Sequence, residues 1–291
     1  MKLFAFGLGY TAVDFIARHG HVFEQVAGTS RSAEKAAELR SERLATFVFG
    51  KDEEDPAIAA ALLDSDVLLI SVPPGASADP VLAKFGRLIA AAKQPMKIFY
   101  LSTIGVYGDR GGEWVDEERL PQPKGERSKL RLQAEKAWLS LAKDATKTVH
   151  ILRLSGIYGP GRNALAALKA GSARRIVKQG QVFNRIHVAD ISAVLDILRN
   201  YEGGSEIWNL SDDEPAPPQD VVTYAASLLG IEPPPEQSLE EAGLSPLARG
   251  FYDENKRASN DKIKQKLGIK LAFPTYREGL NALLEAGEGR S

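Results

Sequence analysis

The first twelve residues constrain this chain more than any other stretch. Residues 3–6 form an uninterrupted apolar run, which is typical of a parallel strand covered on both faces. Gly7, Gly9 and Ala12 follow with the spacing G-x-G-x-x-A, and the apolar residues after Gly9 recur at helical spacing. The stretch therefore predicts a strand, a tight turn and a helix.

Each small residue of this turn has a physical role. Gly7 permits the turn, Gly9 lets the backbone approach a pyrophosphate, and Ala12 allows close packing of helix on strand. The free N–H groups and the dipole of the following helix favour a phosphate at its start. We therefore predict a dinucleotide site formed by the residues that run through the turn into the helix: Gly7, Leu8, Gly9, Tyr10, Thr11 and Ala12.

Two other interpretations apply to the same stretch. A lysine followed by an apolar run resembles a signal peptide, but Asp14 and Arg18 interrupt the run and no small-residue cleavage site follows. The other alternative is a strand-to-helix turn that binds no ligand, and the pattern alone leaves it open.

The composition excludes several classes of function. With 44% apolar and 26% charged residues among 291, the chain has the make-up of a globular protein. A formal net charge of −1 gives nucleic acid and membrane surfaces little to attract, so neither is expected as a partner. The absence of cysteine excludes disulfides and thiolate metal ligands, and no other metal site is predicted. No apolar stretch reaches membrane-spanning length, and the cytoplasm is the expected location.

Apolar runs of strand length alternate with helical patterns through the first half, which predicts βα units and a parallel sheet. Right-handed crossovers then give a doubly wound, Rossmann-type α/β fold with ligands at the carboxyl ends of the strands. After the first unit, strands are predicted at 22–28, 44–49, 66–71, 96–102 and 149–154. Helices are predicted at 32–43, 56–63, 79–92 and 126–142.

The pattern changes after residue 160. A hairpin is predicted over 175–187 around Gly180, and Asp190 is expected to cap a helix over 190–199. A further strand is predicted at 206–210, with helices at 219–229, near 238–242, at 260–267 and at 276–286. We expect a Rossmann domain of residues 1–160, to which 184–212 return, and a smaller substrate or lid domain of 161–183 and 213–291.

The end of the second strand indicates which dinucleotide binds. NAD-binding folds usually carry an acid there for the ribose 2′-hydroxyl, but Thr29-Ser30-Arg31-Ser32 contains none. Arg31 could pair with a 2′-phosphate, with Ser30 and Ser32 donating hydrogen bonds to it, which predicts NADP rather than NAD. The alternative is a solvated Arg31 next to a helix-capping serine. At the end of the fourth strand, Val72 and Pro73 are expected to line the cofactor's path.

Four segments together resemble a known family. They are Leu-Ser-Thr-Ile-Gly-Val-Tyr-Gly at 101–108, Arg-Leu-Ser-Gly-Ile-Tyr-Gly-Pro-Gly at 153–161, Arg-Ile-His-Val-Ala-Asp at 185–190 and Trp-Asn-Leu-Ser at 208–211. In this order they resemble the extended short-chain dehydrogenase/reductases, also called the NAD-dependent epimerase/dehydratase family, over essentially the whole chain. The resemblance implies a small-molecule substrate held by the C-terminal domain, often a nucleotide sugar.

The resemblance also implies catalytic roles. Thr103, with Ser102 beside it, matches the Ser or Thr that hydrogen-bonds the reacting oxygen in the family. The family's Tyr and Lys, four residues apart on the next helix, fall at Arg127 and Arg131 when the helix is aligned on Glu135. Arg131 could bind the ribose hydroxyls, but an arginine stays protonated and cannot replace the tyrosine acid. An alternative alignment on the Ser-Lys pair at 128–129 supplies no tyrosine either.

The missing tyrosine leaves two functions open. Tyr107 and Tyr158 stand at strand ends as candidate proton donors, although packing is the usual role of such a tyrosine. His187 and Asp190 match family positions that orient a loop before a helix. The resemblance implies an epimerase, dehydratase or reductase that moves a hydride at a hydroxyl or carbonyl carbon. The alternative is a protein that senses NADP(H) without turning it over.

Overall fold

A computed structural model of the protein describes residues 1–50, 55–76, 78–143 and 146–289. The chain divides into two compact units. The first comprises Met1–Thr103, Glu126–Arg153 and Ile191–Trp208, and the second comprises Ile104–Gly125, Leu154–Asp190 and Asn209–Ser291. These bounds differ from the predicted domains mainly because residues 104–125 join the second unit and the segment that returns to the first is 191–208.

The strands and helices are numbered in chain order. The strands are β1 (Lys2–Phe6), β2 (Gln25–Ser30), β3 (Leu44–Val48), β4 (Val67–Ile70), β5 (Met96–Thr103), β6 (Trp114–Val115), β7 (Lys147–Leu154), β8 (Gly156–Tyr158), β9 (Arg175–Val177), β10 (Arg185–His187), β11 (Glu206–Leu210), β12 (Glu236–Ser238) and β13 (Arg257–Ala258). The helices are α1 (Tyr10–His19), α2 (Ala33–Leu39), α3 (Ile58–Leu63), α4 (Pro80–Ala91), α5 (Glu126–Leu139), α6 (Ala164–Lys169), α7 (Val188–Asn200), α8 (Pro218–Leu229), α9 (Pro246–Gly250), α10 (Asp261–Leu267) and α11 (Tyr276–Glu285).

A seven-stranded parallel sheet in the order β11-β7-β5-β4-β1-β2-β3 confirms the predicted doubly wound α/β fold. Ala5 of β1 pairs with Gly28 of β2, and Phe6 pairs with Ile70 of β4. The strand order reverses next to β1, so the carboxyl ends of β1, β2 and β4 lie side by side at the switch point. In open α/β sheets, ligands bind at such a place.

One apolar core fixes these strands. Phe4, Phe6 and Tyr100 belong to it, and Trp138 of α5 packs in the same cluster. Trp138 has no exposed surface, so α5 packs on the sheet through this side chain. The carboxylate of Asp79 caps α4 and also accepts the indole N–H of Trp138 at 3.1 Å, which ties the start of α4 to α5.

The second unit is built from short parallel strand pairs, β8 with β10, β9 with β12, and β6 with β13. The pairing of β6 with β13 explains why residues 104–125 belong to this unit. Tyr158, Leu165, Tyr276 and Leu280 form part of its apolar core.

The hairpin predicted over 175–187 is wrong. Gly180 does adopt a left-handed turn with φ +75°, but the strands on either side of it pair elsewhere. β9 pairs with β12, about sixty residues further on, and β10 pairs with β8. A turn signal shows where the chain reverses, whereas the backbone partners are set by distant segments that a local pattern does not contain.

Two further expectations change, and the structure adds a helix. Residues 238–242 form a single turn, in which Ser238 and Glu241 exchange hydrogen bonds before Gly243 turns left-handed at φ +53°. The five-residue helix α9 was not predicted. Asp190 is not a cap, because α7 already begins at Val188. Among the described residues, no helix is both long enough and apolar enough to cross a membrane.

Candidate functional site

The turn after β1 has the geometry that its glycines predict. Gly7 adopts φ +88°, which is strained for any residue with a side chain, and a Cβ there would lie 2.9 Å from Cγ2 of Val72. Its N–H donates to Oγ1 of Thr29 at 3.0 Å, which holds the turn against β2. The sequence did not single out Thr29, although its place at the end of β2 was a usable signal.

Gly9 differs from Gly7 in one important respect. Its φ is −91°, an ordinary value, and a Cβ built on it would lie 3.9 Å from Oγ of Ser71, an ordinary contact. Neither the backbone nor the described neighbours therefore require a glycine here. The residue is exposed, and it stands directly before α1. The backbone at the start of α1 is therefore accessible from outside.

The remaining residues of the predicted turn divide by burial. Leu8, Thr11 and Ala12 are buried, and Tyr10 is half-buried. Leu8 packs so closely on Gly28 that a Cβ on that glycine would lie 2.7 Å from a Leu8 methyl group. The side chain of Leu8 thus anchors the turn, and what it offers a ligand is its backbone. In the described residues, no side chain caps α1 and no acid lies in its first turn, so the positive end of the helix is not neutralised there.

The ends of β2 and β4 flank this turn. Ser30 ends β2 and is half-buried, while Arg31 is exposed. The hydroxyl of Ser32 accepts the N–H of Lys35 at 3.4 Å and so caps α2, as the alternative interpretation of this serine held. Across the turn, Val72 contacts Gly7 and Pro73 is exposed.

Two residues of α5, Arg131 and Glu135, form hydrogen bonds with the end of β5. Nη1 of Arg131 donates to the carbonyl of Leu101 at 2.8 Å and to the hydroxyl of Tyr100 at 3.2 Å. One turn further along, Glu135 accepts the hydroxyl of Ser102 at 2.5 Å. Because alternate residues of a strand share a face, Tyr100 and Ser102 meet α5 together. Burial raises the pKa of Tyr100 far above its ordinary value.

The residues considered as acid or base groups differ in burial and in their partners. The hydroxyl of Ser102 is buried and bound to Glu135, whereas Thr103, on the opposite face of β5, is half-buried. At the family's tyrosine position Arg127 is exposed. The lysine of the alternative alignment, Lys129, forms an exposed ion pair with Glu126 at 2.6 Å. Thr103 is therefore the residue of this pair that is partly exposed.

The two candidate tyrosines lie in the second unit and are buried. Tyr107 has no exposed surface, and its hydroxyl donates to Oδ1 of Asn209 at 2.8 Å. Tyr158 donates to the carbonyl of Thr275 at 3.3 Å, and burial raises the pKa of its hydroxyl far above the ordinary value. These surroundings correspond to the packing alternative, since a hydroxyl without exposed surface does not meet a substrate in this arrangement.

His187 and Asp190 also hold the backbone of the second unit. Nδ1 of His187 accepts the N–H of Ala189 at 3.1 Å, at the beginning of α7. The carboxylate of Asp190 accepts the N–H groups of Ala272 and Phe273 at 2.7 and 3.1 Å. Both side chains thus orient chain segments, as the family resemblance implied.

No family model matches the chain. The protein YeeZ of Escherichia coli K12 is 26% identical over 283 residues, which span 94% of this chain and 96% of YeeZ. A functionally unknown conserved protein from Silicibacter pomeroyi DSS is 42% identical, and its solved structure matches with a TM-score of 0.87 over 99% of both chains. A "putative NAD-dependent epimerase/dehydratase" from Methylobacillus flagellatus is 25% identical, with a TM-score of 0.70 over 98% of both chains.

Two more distant structures share the fold and hold a cofactor. The UDP-glucuronic acid 4-epimerase of Bacillus cereus, in complex with NAD, is 17% identical, with a TM-score of 0.76 over 98% of both chains. The human epimerase family protein SDR39U1, with NADPH, is 15% identical, with a TM-score of 0.72 over 98% of this chain and 99% of that one. Proteins of this fold thus bind either dinucleotide.

Proposed function

The chain belongs to the NAD-dependent epimerase/dehydratase family as an atypical extended short-chain dehydrogenase/reductase, and on this premise we propose that it is an NADP(H)-dependent protein acting on a small hydroxyl or carbonyl compound. Its Rossmann-type first unit binds a nicotinamide dinucleotide at the carboxyl ends of β1, β2 and β4. Three parts of this proposal are specific. The cofactor is NADP rather than NAD, Thr103 binds the substrate oxygen, and the usual proton donor is lost.

The surroundings of Gly9 are the observation that most directly supports the cofactor site. Its backbone is exposed, its φ is ordinary, and a Cβ would find room among the described atoms. A pyrophosphate lying against residues 7–9 supplies the missing reason for a glycine, and α1 directs its positive end at the same place.

The preference for NADP rests on Arg31 and Ser30. No acid stands at the end of β2 to accept the 2′-hydroxyl of NAD, and the exposed Arg31 offers a planar donor for a 2′-phosphate. Ser32 is engaged in capping α2, so Ser30 is the serine that supports Arg31 in the proposal. Val72 and Pro73 line the path of the cofactor from the end of β4.

Titration calorimetry with NADPH and NADH tests this assignment. A charge-assisted arginine–phosphate contact corresponds to about 1.5–3 kcal/mol, or about one to two decades of affinity. We expect NADPH to bind more tightly, and Arg31→Ala to remove most of the difference while leaving NADH unchanged. Arg43→Ala, at another exposed arginine of the same unit, is the matched control. Equal affinities of the parent protein for NADPH and NADH would overturn the role of Arg31.

The chemistry that the cofactor supplies is hydride transfer, and the chain's own part is to position oxygen atoms. Thr103, which is half-buried, binds the reacting oxygen of the substrate through its hydroxyl. Arg131, held by the carbonyl of Leu101, replaces the family's lysine and binds ribose hydroxyls as a permanent cation. It lowers no tyrosine pKa at position 127, because an arginine stands there.

A second candidate function follows from the same residues. Ser102 is bound to Glu135, Tyr107 is buried, and Arg127 carries no transferable proton at neutral pH. General acid–base catalysis typically contributes 10²–10⁴ in rate, and the chain lacks the group that usually provides it. These facts favour a protein that binds NADP(H) and reports its redox state without turnover.

An absorbance assay of NADPH at its nicotinamide band separates the two candidates. The panel contains nucleotide sugars, ketones and aldehydes, each with Thr103→Val as the matched variant. Turnover that Thr103→Val abolishes, with NADPH affinity unchanged, supports the enzyme. Tight NADPH binding without turnover across the panel supports the sensor.

A further inference from the structure

The turn after β1 keeps its own N–H groups engaged within the protein. The N–H of Gly7 donates to Oγ1 of Thr29 at 3.0 Å, and that of Leu8 donates to the carbonyl of Thr29 at 2.8 Å. The N–H of Gly9 donates to the carbonyl of Gly7 at 2.8 Å. Residues 7–9 thus allow a pyrophosphate to approach closely, but its hydrogen-bond donors must come from the start of α1 or from neighbouring side chains.

Ser71, the residue directly after β4, lies beside this turn. Its N–H donates to the carbonyl of Phe6 at 2.9 Å, so the pairing of β1 with β4 extends to it and fixes its backbone. Apart from α1 and the residues adjacent to Gly9, one described atom lies within 4 Å of a Cβ built on that glycine: Oγ of Ser71, at 3.9 Å. The space left open by the missing side chain is therefore bordered by a hydroxyl group.

The hydroxyl of Ser71 is available to a ligand. Its side chain forms no hydrogen bond within the part of the chain that the structure describes, and its Oγ is not one of the buried atoms without a partner. The hydroxyl is therefore neither paired nor buried, and the residue as a whole is half-buried. A donor that the fold holds in place but does not use is suited to a binding site.

The electrostatics of this place favour an anion. α1 directs its positive end here, and neither a capping side chain nor an acid in its first turn neutralises that end within the described residues. A serine hydroxyl donates well to an anionic oxygen, because the bond is then charge-assisted. A phosphate oxygen that fills the space beside Gly9 therefore meets a donor from β4 as well as the start of α1.

We propose that the hydroxyl of Ser71 donates a hydrogen bond to a pyrophosphate oxygen of the bound dinucleotide, in the space that Gly9 leaves open. The inference rests on the proposed function, because it requires a dinucleotide at this turn. It adds a side-chain donor that serves NADP and NAD alike, whereas Arg31 serves the 2′-phosphate of NADP.

Titration calorimetry with NADPH, NADH, ADP-ribose and adenosine 2′-monophosphate tests the contact. The first three ligands contain a pyrophosphate, and the last does not. Ser71→Ala should weaken the first three by a similar factor of about ten or more, since each loses a hydrogen bond to a charged group. It should leave adenosine 2′-monophosphate unchanged. Arg31→Ala should give a different pattern, with weaker binding of NADPH and adenosine 2′-monophosphate alone.

Two controls separate the contact from a role in folding. Ser71→Ala should leave the melting temperature of the free protein unchanged, because the hydroxyl has no partner to lose in the described residues. Ser41→Ala, at an exposed serine of the same unit, is the matched variant and should leave the affinity for all four ligands unchanged.

The outcomes distinguish this inference from the proposed function. Parent-like affinity of Ser71→Ala for NADPH, NADH and ADP-ribose would overturn the role of Ser71 and leave the cofactor site standing. A loss for NADPH and NADH but not for ADP-ribose would place the contact at the nicotinamide and overturn it as well. A loss accompanied by a lower melting temperature would mean that Ser71 serves the fold. Failure of all four ligands to bind the parent protein would overturn the proposed function itself, and this inference with it.

Discussion

The carboxylate of Glu135 accepts Nη2–H of Arg153 at 2.7 Å, and both side chains are only 2% exposed. Nε of the same arginine lies 3.2 and 3.3 Å from the two carboxylate oxygens, and the hydroxyl of Ser102 donates to Oε1. Ser102 is thus part of a buried charged network that joins β5, α5 and β7. This explains why Ser102, although next to the threonine that we propose to bind the substrate, is not itself available to a substrate.

Breaking this pair should be strongly destabilising. Glu135→Gln leaves the guanidinium of Arg153 buried without a counter-charge, which typically costs about 3–5 kcal/mol of the free energy of unfolding. Urea denaturation measures the effect. The matched control is Glu126→Gln, which removes an exposed partner of Lys129 and should cost less than about 1 kcal/mol.

The double variant Glu135→Leu with Arg153→Met tests whether the unpaired charge of Arg153 causes this loss of stability. Because it removes both charges together, it should recover much of the stability that Glu135→Gln loses. A double variant no more stable than Glu135→Gln would show that packing, rather than the uncompensated charge, dominates.

The same substitution at two glycines separates ligand binding from folding. Gly9→Val should cost less than about 1 kcal/mol, since φ is ordinary and space is present, but it should abolish NADPH binding. Gly7→Val should cost at least about 2 kcal/mol, because valine is strained at φ +88° and would press on Val72.

Thermal denaturation and NADPH titration of both variants provide the measurement. A Gly9→Val protein that binds NADPH with the parent's affinity would remove the basis of the cofactor site. Equal destabilisation by the two substitutions would mean that Gly9 serves the fold.

The sheet was predictable because its signals are local. An apolar run such as residues 3–6, followed by two glycines and a helical pattern, specifies strand, turn and helix within a dozen residues. β11 was predicted with its observed bounds, and α4 and α11 to within about a residue or two at each end. Right-handed crossovers then limit the arrangement of these strands to a few topologies, of which the doubly wound sheet is one.

The second unit was less predictable because its pairings are distant and short. Strands of two or three residues, such as β6 and β13, show no usable alternation, and their partners lie far apart in sequence. The burial of individual side chains could not be predicted from the sequence either. Nothing in the sequence around Tyr107 distinguishes a hydroxyl bound to Asn209 from one that faces a substrate.

Tyr107→Phe tests whether this tyrosine serves packing. Loss of the Tyr107 hydroxyl should lower the free energy of unfolding by about 1 kcal/mol, because Oδ1 of Asn209 loses a buried donor. NADPH affinity and any turnover found in the absorbance assay should be unchanged. Tyr224→Phe, which removes an exposed hydroxyl bound by Asn281, is the control and should be nearly neutral. A large fall in turnover with Tyr107→Phe, at unchanged stability, would make Tyr107 the missing proton donor.

Asp212 should make stability depend on pH. Burial raises its pKa from 3.8 to about 8, and the opposing positive charge of Arg185 only partly offsets this. Between these two values the folded protein keeps a proton that the unfolded chain has released, so stability falls as the pH rises. The contribution of Asp212 is therefore fully present below about pH 4 and is lost progressively up to about pH 8.

Asp212→Asn removes this titration, and melting temperatures of the variant and the parent protein between pH 4 and pH 9 reveal it. The melting temperature of the variant should rise relative to that of the parent protein as the pH increases to about 8, because asparagine remains neutral where the buried aspartate must ionise. Above that pH the difference should stay constant. Asp212→Glu retains a carboxyl group and should follow the parent's pH dependence even where the longer side chain lowers stability throughout. A difference between Asp212→Asn and the parent that does not change with pH would mean that Asp212 ionises in the folded protein as it does in the unfolded chain.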